Sequence, residues 1–111
     1  MKRKQTAAEY AETNTGLSFN TRLCGKANVI TSTYHKGGTI SVELVDDNEE
    51  EIAMLSVNMP ECSPLLGEGE FFAKTWSENE TIAEDALASG IFRDTGRTSG
   101  DTVNAQIWTF R

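Results

Sequence analysis

The chain has 111 residues, 38% of them hydrophobic and 24% charged, and a net charge of −7. This is the composition of one globular domain, not of a disordered chain, and the length is too short for two independently folding units. The acidity argues against a phosphate-binding surface, and no apolar run reaches the length of a signal-peptide core or a membrane span, so a cytoplasmic protein without direct nucleic-acid or membrane contact is expected.

Residues 1 to 16 read as an N-terminal arm, helical or disordered: a basic tip, two marginal helical turns over Thr6 to Glu12, and the breaker run Thr13-Asn14-Thr15-Gly16. Residues 17 to 111 read as a single domain. Ala27 to Tyr34, with Val29, Ile30, Thr31 and Thr33, predicts a strand, and Lys36-Gly37-Gly38 a hairpin turn. Ile40, Val42 and Leu44 alternate with Ser41 and Glu43 as a half-buried strand does. Beyond the acidic turn Asp46 to Glu51, residues 52 to 59 predict a third strand with Ala53, Leu55, Val57 and Met59 facing the core, ended by Pro60.

A Pro- and Gly-rich loop covers residues 60 to 69, and Glu70 to Trp76 resumes as a fourth strand. Ser77 and Glu80 have the spacing of a capping box and predict a helix start, with Ile82, Ala83, Ala86 and Leu87 on its buried side and Gly90 as the C′ residue. Ile91 to Thr95 and Val103 to Phe110 predict two further strands around the turn Gly96 to Gly100. The expected fold is α+β: an antiparallel, largely meandering β-sheet of about five to six strands with one helix packed on one face.

No catalytic or cofactor motif emerges. The acidic turn lacks the glycine and the distal glutamate of a calcium loop, so it reads as a solvated tip and no metal is expected. Cys24, Cys62 and His35 lack the spacing of a zinc site and any signature of a nucleophilic pair, and the two cysteines are expected as unpaired thiols. Gly67-Glu68-Gly69 lacks the Lys-Ser/Thr of a phosphate loop and reads as a turn. Asn79-Glu80-Thr81 fits a glycosylation sequon with no expected use. Carboxylate pairs for glycoside hydrolysis need a cleft that so small a chain seldom builds. Trp76, Trp108, Phe71, Phe72 and Phe110 read as core, with Trp76 a possible interface anchor. The chain is expected not to be an enzyme.

Charge distribution is more informative. Glu43 to Asp85 holds thirteen acids and one base and carries −12, whereas the remainder carries +5. Acidity so gathered serves either solubility or the steering of a basic partner surface. The candidate partner-binding residues are Asp46, Asp47, Glu49, Glu50 and Glu51, supported by Glu78, Glu80, Glu84 and Asp85.

The stretch Leu66-Gly67-Glu68-Gly69-Glu70-Phe71-Phe72-Ala73-Lys74-Thr75-Trp76-Ser77-Glu78-Asn79-Glu80 lies between Leu55-Ser56-Val57-Asn58-Met59-Pro60 and Asp94-Thr95-Gly96-Arg97. Together they resemble a family of small proteins carried by phages, plasmids and conjugative elements of Gram-positive gut bacteria. The resemblance covers roughly residues 27 to 110 and implies no enzyme activity. Such elements carry anti-restriction and anti-CRISPR proteins, and the chain is similar to small inhibitors of type II CRISPR systems. The resemblance implies a bacterial host and a mechanism in which the acidic face occupies the basic channel of an RNA-guided nuclease, blocking guide RNA or target DNA. No family residue roles transfer, so the site rests on charge clustering. The chain is expected to be a monomer or homodimer, and the alternative reading is a structural or regulatory protein-interaction module of such an element working through a homo-oligomeric or hetero-oligomeric contact, which sheet-edge pairing by the last strand, Trp108-Thr109-Phe110, would serve.

Overall fold

The computed structural model describes residues 16–100 and 104–111, so the expected arm, apart from Gly16, lies outside the described residues. Among the described residues there are seven strands: β1 (Ser18–Thr21), β2 (Gly25–Thr33), β3 (Ile40–Val45), β4 (Glu51–Met54), β5 (Glu70–Ala73), β6 (Phe92–Thr98) and β7 (Gln106–Phe110). One α-helix, α1 (Glu80–Ala88), and two 3-10 turns, Pro60–Leu65 and Ser77–Asn79, complete the described elements. The α+β class is as expected, but the single sheet is not. β1-β2-β3-β4 form one antiparallel meander, and β5-β7-β6 form a second sheet.

In the first sheet Val29 stands opposite Leu44, Thr31 opposite Val42 and Thr33 opposite Ile40, which sends Val29, Ile40, Val42 and Leu44 into the core. Gly37 and Gly38 close this hairpin at φ 89° and 68°. A Cβ on Gly37 would also lie 3.3 Å from that of Pro60, so the turn requires glycine there and the packing leaves a side chain little room. β1 has no counterpart in the sequence reading. Ser-Phe-Asn-Thr offers only Phe19 and Thr21 to the interior, and pairing with β2 extends it.

The strand expected over residues 52 to 59 stops at Met54. A bulge sets Val45 against Glu51 and Leu44 against Ala53, and both Ile52 and Ala53 lean on the core. One step further, the Val42 N–H donates to Ser56 Oγ at 2.8 Å instead of to a backbone carbonyl. The Leu55 carbonyl instead accepts the Lys74 N–H at 2.8 Å, and the Val57 N–H donates to Phe72 at 3.0 Å. Residues 55 to 57 therefore serve both sheets, and this crossing is why the meander divides.

Asn79 locks the crossing. It is 1% exposed, and its amide donates to the Met54 carbonyl at 2.7 Å and the Lys74 carbonyl at 3.0 Å. The expected capping box does not form. Residues 77 to 79 make a 3-10 turn with Ser77 at φ 59°, and α1 begins at Glu80 with no side-chain cap. Two partly buried carbonyls and a buried amide left without partners cost more than one absent exposed cap, so the burial of Asn79 sets the register. The same burial occupies the amide of the sequon.

α1 buries Ile82, Ala83 and Ala86 and ends at Ser89, with Gly90 at φ 83° in the C′ position. The helix packs on β1 and β6, the strands farthest from the crossing in their respective sheets. Beneath it Phe71, Phe92, Trp108 and Phe110 meet in tilted and edge-on contacts, the nearest being Phe92 and Phe110 at 5.2 Å between centroids. Phe19, Val29, Ile40, Val42, Leu44 and Leu55 belong to the same core. Met59, Phe72, Ala105 and Ile107 form a smaller cluster, with Cys62, Leu66 and Trp76 packed against it.

β7 is hydrogen-bonded on both sides, to β5 and to β6, so edge pairing through Trp108-Thr109-Phe110 is overturned. Among the described residues no helix is long and apolar enough to cross a membrane.

Replacing Asn79 by Ala strands the Met54 and Lys74 carbonyls and is expected to destabilise the fold by about 2 to 3 kcal/mol, and Ser56→Ala, which strands the Val42 N–H, by about 1 to 3 kcal/mol. Urea unfolding monitored by tryptophan fluorescence measures both; midpoints equal to that of the parent protein would contradict the role given to the crossing.

Candidate partner-binding face

The acidic turn between β3 and β4 is held by its own first residue. Asp46 Oδ1 accepts the N–H groups of Asn48 at 2.8 Å and Glu50 at 2.9 Å, and the Asp46 N–H donates to the Glu50 carbonyl. Asp47 reaches across to β2, where it accepts Asn28 Nδ2 at 3.0 Å and faces Lys26 Nζ at 3.6 Å. The Asn28 hydrogen bond, then Lys26, draws its carboxyl below the usual range. Glu49 and Glu50 point into solvent and face no cation among the described residues.

Glu51 lies beside Glu43 on the outer face of the first sheet. Partial burial raises the Glu43 carboxyl above its ordinary value, and the hydrogen bond that the protonated Glu43 carboxyl donates to Glu51 raises it further, as does the charge of Glu51.

Around α1 the carboxylates are more fully engaged. Glu78 pairs with Lys74 at 2.6 Å, and that hydrogen bond is the main reason its pKa is lowered to about 2. Arg22, in the β1–β2 turn, donates Nη2 to Glu84 at 2.8 Å and Nε to Asp85 at 2.7 Å. Its backbone N–H adds a third bond, to Asp85 at 3.0 Å, which is the largest influence lowering that carboxyl. Glu80 is exposed and faces no cation among the described residues.

The β1–β2 hairpin therefore stands between the two acidic groups, tied to one through Lys26 at the start of β2 and to the other through Arg22 in the turn. Both groups lie at the same end of the first sheet. Their charge is partly cancelled there, because Arg22 and Lys26 come from outside the acidic segment. On this end, the carboxylates that face no cation among the described residues are Glu43, Glu49, Glu50, Glu51 and Glu80, together with Asp46, whose oxygen is taken up by its own turn. Glu43 was not among the expected site residues: its outward position is readable from the alternation, but its contact with Glu51 depends on the bulge.

Elsewhere a cleft of about 280 Å³ separates the Gly37–Thr39 turn from residues 66 to 70. Its Gly67 N–H donates to Glu70 at 2.6 Å, and Glu70 also pairs with Arg97. Burial pushes the Glu70 carboxyl up, but Arg97 and the Gly67 N–H outweigh it, so a carboxylate already occupies the donor that a phosphate would need. Cys24 and His35 flank opposite ends of the nine-residue β2, about 30 Å of extended chain apart, too far for a nucleophilic pair. No disulfide joins Cys24 to Cys62. Among the described residues no three His, Cys, Asp or Glu side chains gather to hold a metal ion.

No protein-family model matches the chain, and no curated protein or solved structure is significantly similar to it.

The carboxyls on this end titrate in opposite senses. A folded-state pKa raised at Glu43 means that folding becomes less favourable as rising pH ionises it, and that lowering the pH through the raised value restores stability. Glu78 stabilises the fold above the ordinary carboxylate range, and that contribution is lost as the pH falls toward about 2. Glu51→Gln is expected to lower the Glu43 pKa and raise neutral-pH stability. Carboxyl-carbon NMR titration reads the first directly, and an unmoved Glu43 curve would show that the two carboxyls do not interact.

Proposed function

We propose that this protein is a mobile-element anti-defence inhibitor that docks its acidic end onto a basic nucleic-acid-binding surface of a protein, with the RNA-guided nuclease of a type II CRISPR system as the expected target. The observation that carries the reading is the set of carboxylates left without a cation on a stiff hairpin: Glu49 and Glu50 at a tip clamped by Asp46, and Glu43 and Glu51 in contact behind it. Like charges kept close on a folded surface raise its energy, and a cationic partner relieves it. The resemblance of residues 27 to 110 to mobile-element proteins supplies the target class.

In this mechanism the hairpin stands in for the phosphate backbone and competes with guide RNA or target DNA for the nuclease channel. Asp46 and Asp47 act indirectly, one by closing the turn and the other by bracing it against β2. Glu78, Glu84 and Asp85 are held in ion pairs and supply a rigid wall more than free charge.

Co-purification with a type II nuclease, with and without its guide RNA, tests the proposal. Binding is expected at about 0.1 M salt, where the screening length is about 10 Å, and to weaken sharply toward 1 M, where it is about 3 Å. The double variant Glu49→Lys, Glu50→Lys leaves the Asp46 clamp intact and is expected to abolish binding and inhibition; full inhibition by that folded variant would sink the mechanism.

A further inference from the structure

Leu23, at the tip of the β1–β2 turn, is 79% exposed, the most exposed large hydrophobic side chain among the described residues. It stands at a pocket of about 120 Å³ that it lines together with Cys24, Ile52, Ala53 and Ile82. Thr21 and Thr81 contribute to the same lining, and Glu78, Asn79 and Asp85 complete it. The volume is somewhat below the ~150 Å³ of an engineered cavity that takes up benzene, so the pocket accepts one aliphatic side chain.

Three features make this pocket a prepared socket. Its walls are fixed: Arg22 ties the turn to α1 through Thr81, Glu84 and Asp85, and Asn79 is pinned by its two bonds at the crossing. Its surroundings are acidic: Glu50 and Glu51 run directly into Ile52, and Glu80 follows Asn79, none of them neutralised by a cation among the described residues. It lies between the two acidic groups that the β1–β2 hairpin bridges.

We infer that the pocket receives an aliphatic anchor, a Leu, Ile or Met flanked by Lys or Arg, from the basic protein that the acidic end meets. This deepens the reading given under Proposed function and rests on it. Charge complementarity selects the occupant. A second copy of this chain would bring one acidic end, on a molecule of net charge −7, against another, whereas a basic segment neutralises the rim as its anchor fills the socket. The carboxylates then set the encounter rate and orientation, and the buried anchor slows dissociation.

NMR of isotope-labelled protein with acetylated, amidated pentapeptides as probes tests this. Lys-Lys-Leu-Lys-Lys is expected to shift the methyl signals of Leu23, Ile52, Ala53 and Ile82 and to bind about tenfold or more tightly than Lys-Lys-Ala-Lys-Lys. Leu23→Ser, on an exposed turn, should remove most of that preference and leave the Glu49 and Glu50 shifts in place. Equal affinity for the two lysine peptides, with shifts confined to the carboxylates, would overturn the socket and leave the electrostatic reading standing. No shift anywhere with either would count against both. Socket shifts that grow with protein concentration alone would overturn the inference by showing a second copy in the pocket.

Discussion

The side-chain hydroxyl of Ser56, by taking the Val42 N–H that a ladder carbonyl would otherwise receive, decides the shape of this molecule. Once that bond forms, Leu55 still donates to Val42 but its carbonyl turns to Lys74, and one residue of backbone joins two sheets. The Tyr34 hydroxyl, 2.7 Å from Ser56 Oγ, completes the polar node, and burial raises its phenol pKa above the ordinary value. A buried polar node of this kind tolerates no slippage, because shifting the register by one residue would strand several donors and acceptors at once. Asn79 extends the constraint to the start of α1. Both the helix and the acidic hairpin are positioned from this seam.

The electrostatics follow from that positioning. A segment carrying −12 would be costly to fold compactly if its charges met only one another. The fold instead delivers Arg22 from the β1–β2 turn, Lys26 from the start of β2 and Arg97 from β6 onto Asp85, Glu84, Asp47 and Glu70. In each pair the cation is exposed to solvent, so each individually contributes little. Their consequence is selective: pairing Glu84, Asp85 and the flank of the hairpin leaves the remaining negative potential at the hairpin tip, at the outer face of the first sheet and at Glu80.

A binding surface built this way separates two tasks. Long-range attraction needs only unscreened charge, which the tip provides, while residence needs apolar area removed from water, which charge alone does not supply. An exposed leucine beside a small apolar pocket, within a belt of carboxylates, places both on one end of the molecule. The opposite cleft, where a carboxylate holds the glycine turn closed, offers neither.

Much of the fold was legible in the sequence. The alternation of Ile40, Val42 and Leu44, the glycine pair at 37 and 38, the buried stripe of α1 and its Gly90 terminus are local signals, and each appears where its period or turn chemistry puts it. The clustering of acids was equally plain, as was the core role of Trp108 and the phenylalanines. What the sequence concealed has one physical cause: a hydrogen-bonding side chain does not announce its partner. Ser77 and Glu80 match a capping box, yet Asn79 between them is claimed by two carbonyls, one of them 25 residues upstream. Residues 52 to 59 look like one strand, yet Ser56 ends the ladder from within. Composition and pattern alone thus determined an acidic α+β domain with its charge in one segment. Which acids are neutralised, where the sheet divides, and that Leu23 stands exposed beside a pocket were decided only by long-range hydrogen bonds and ion pairs that tertiary contact creates.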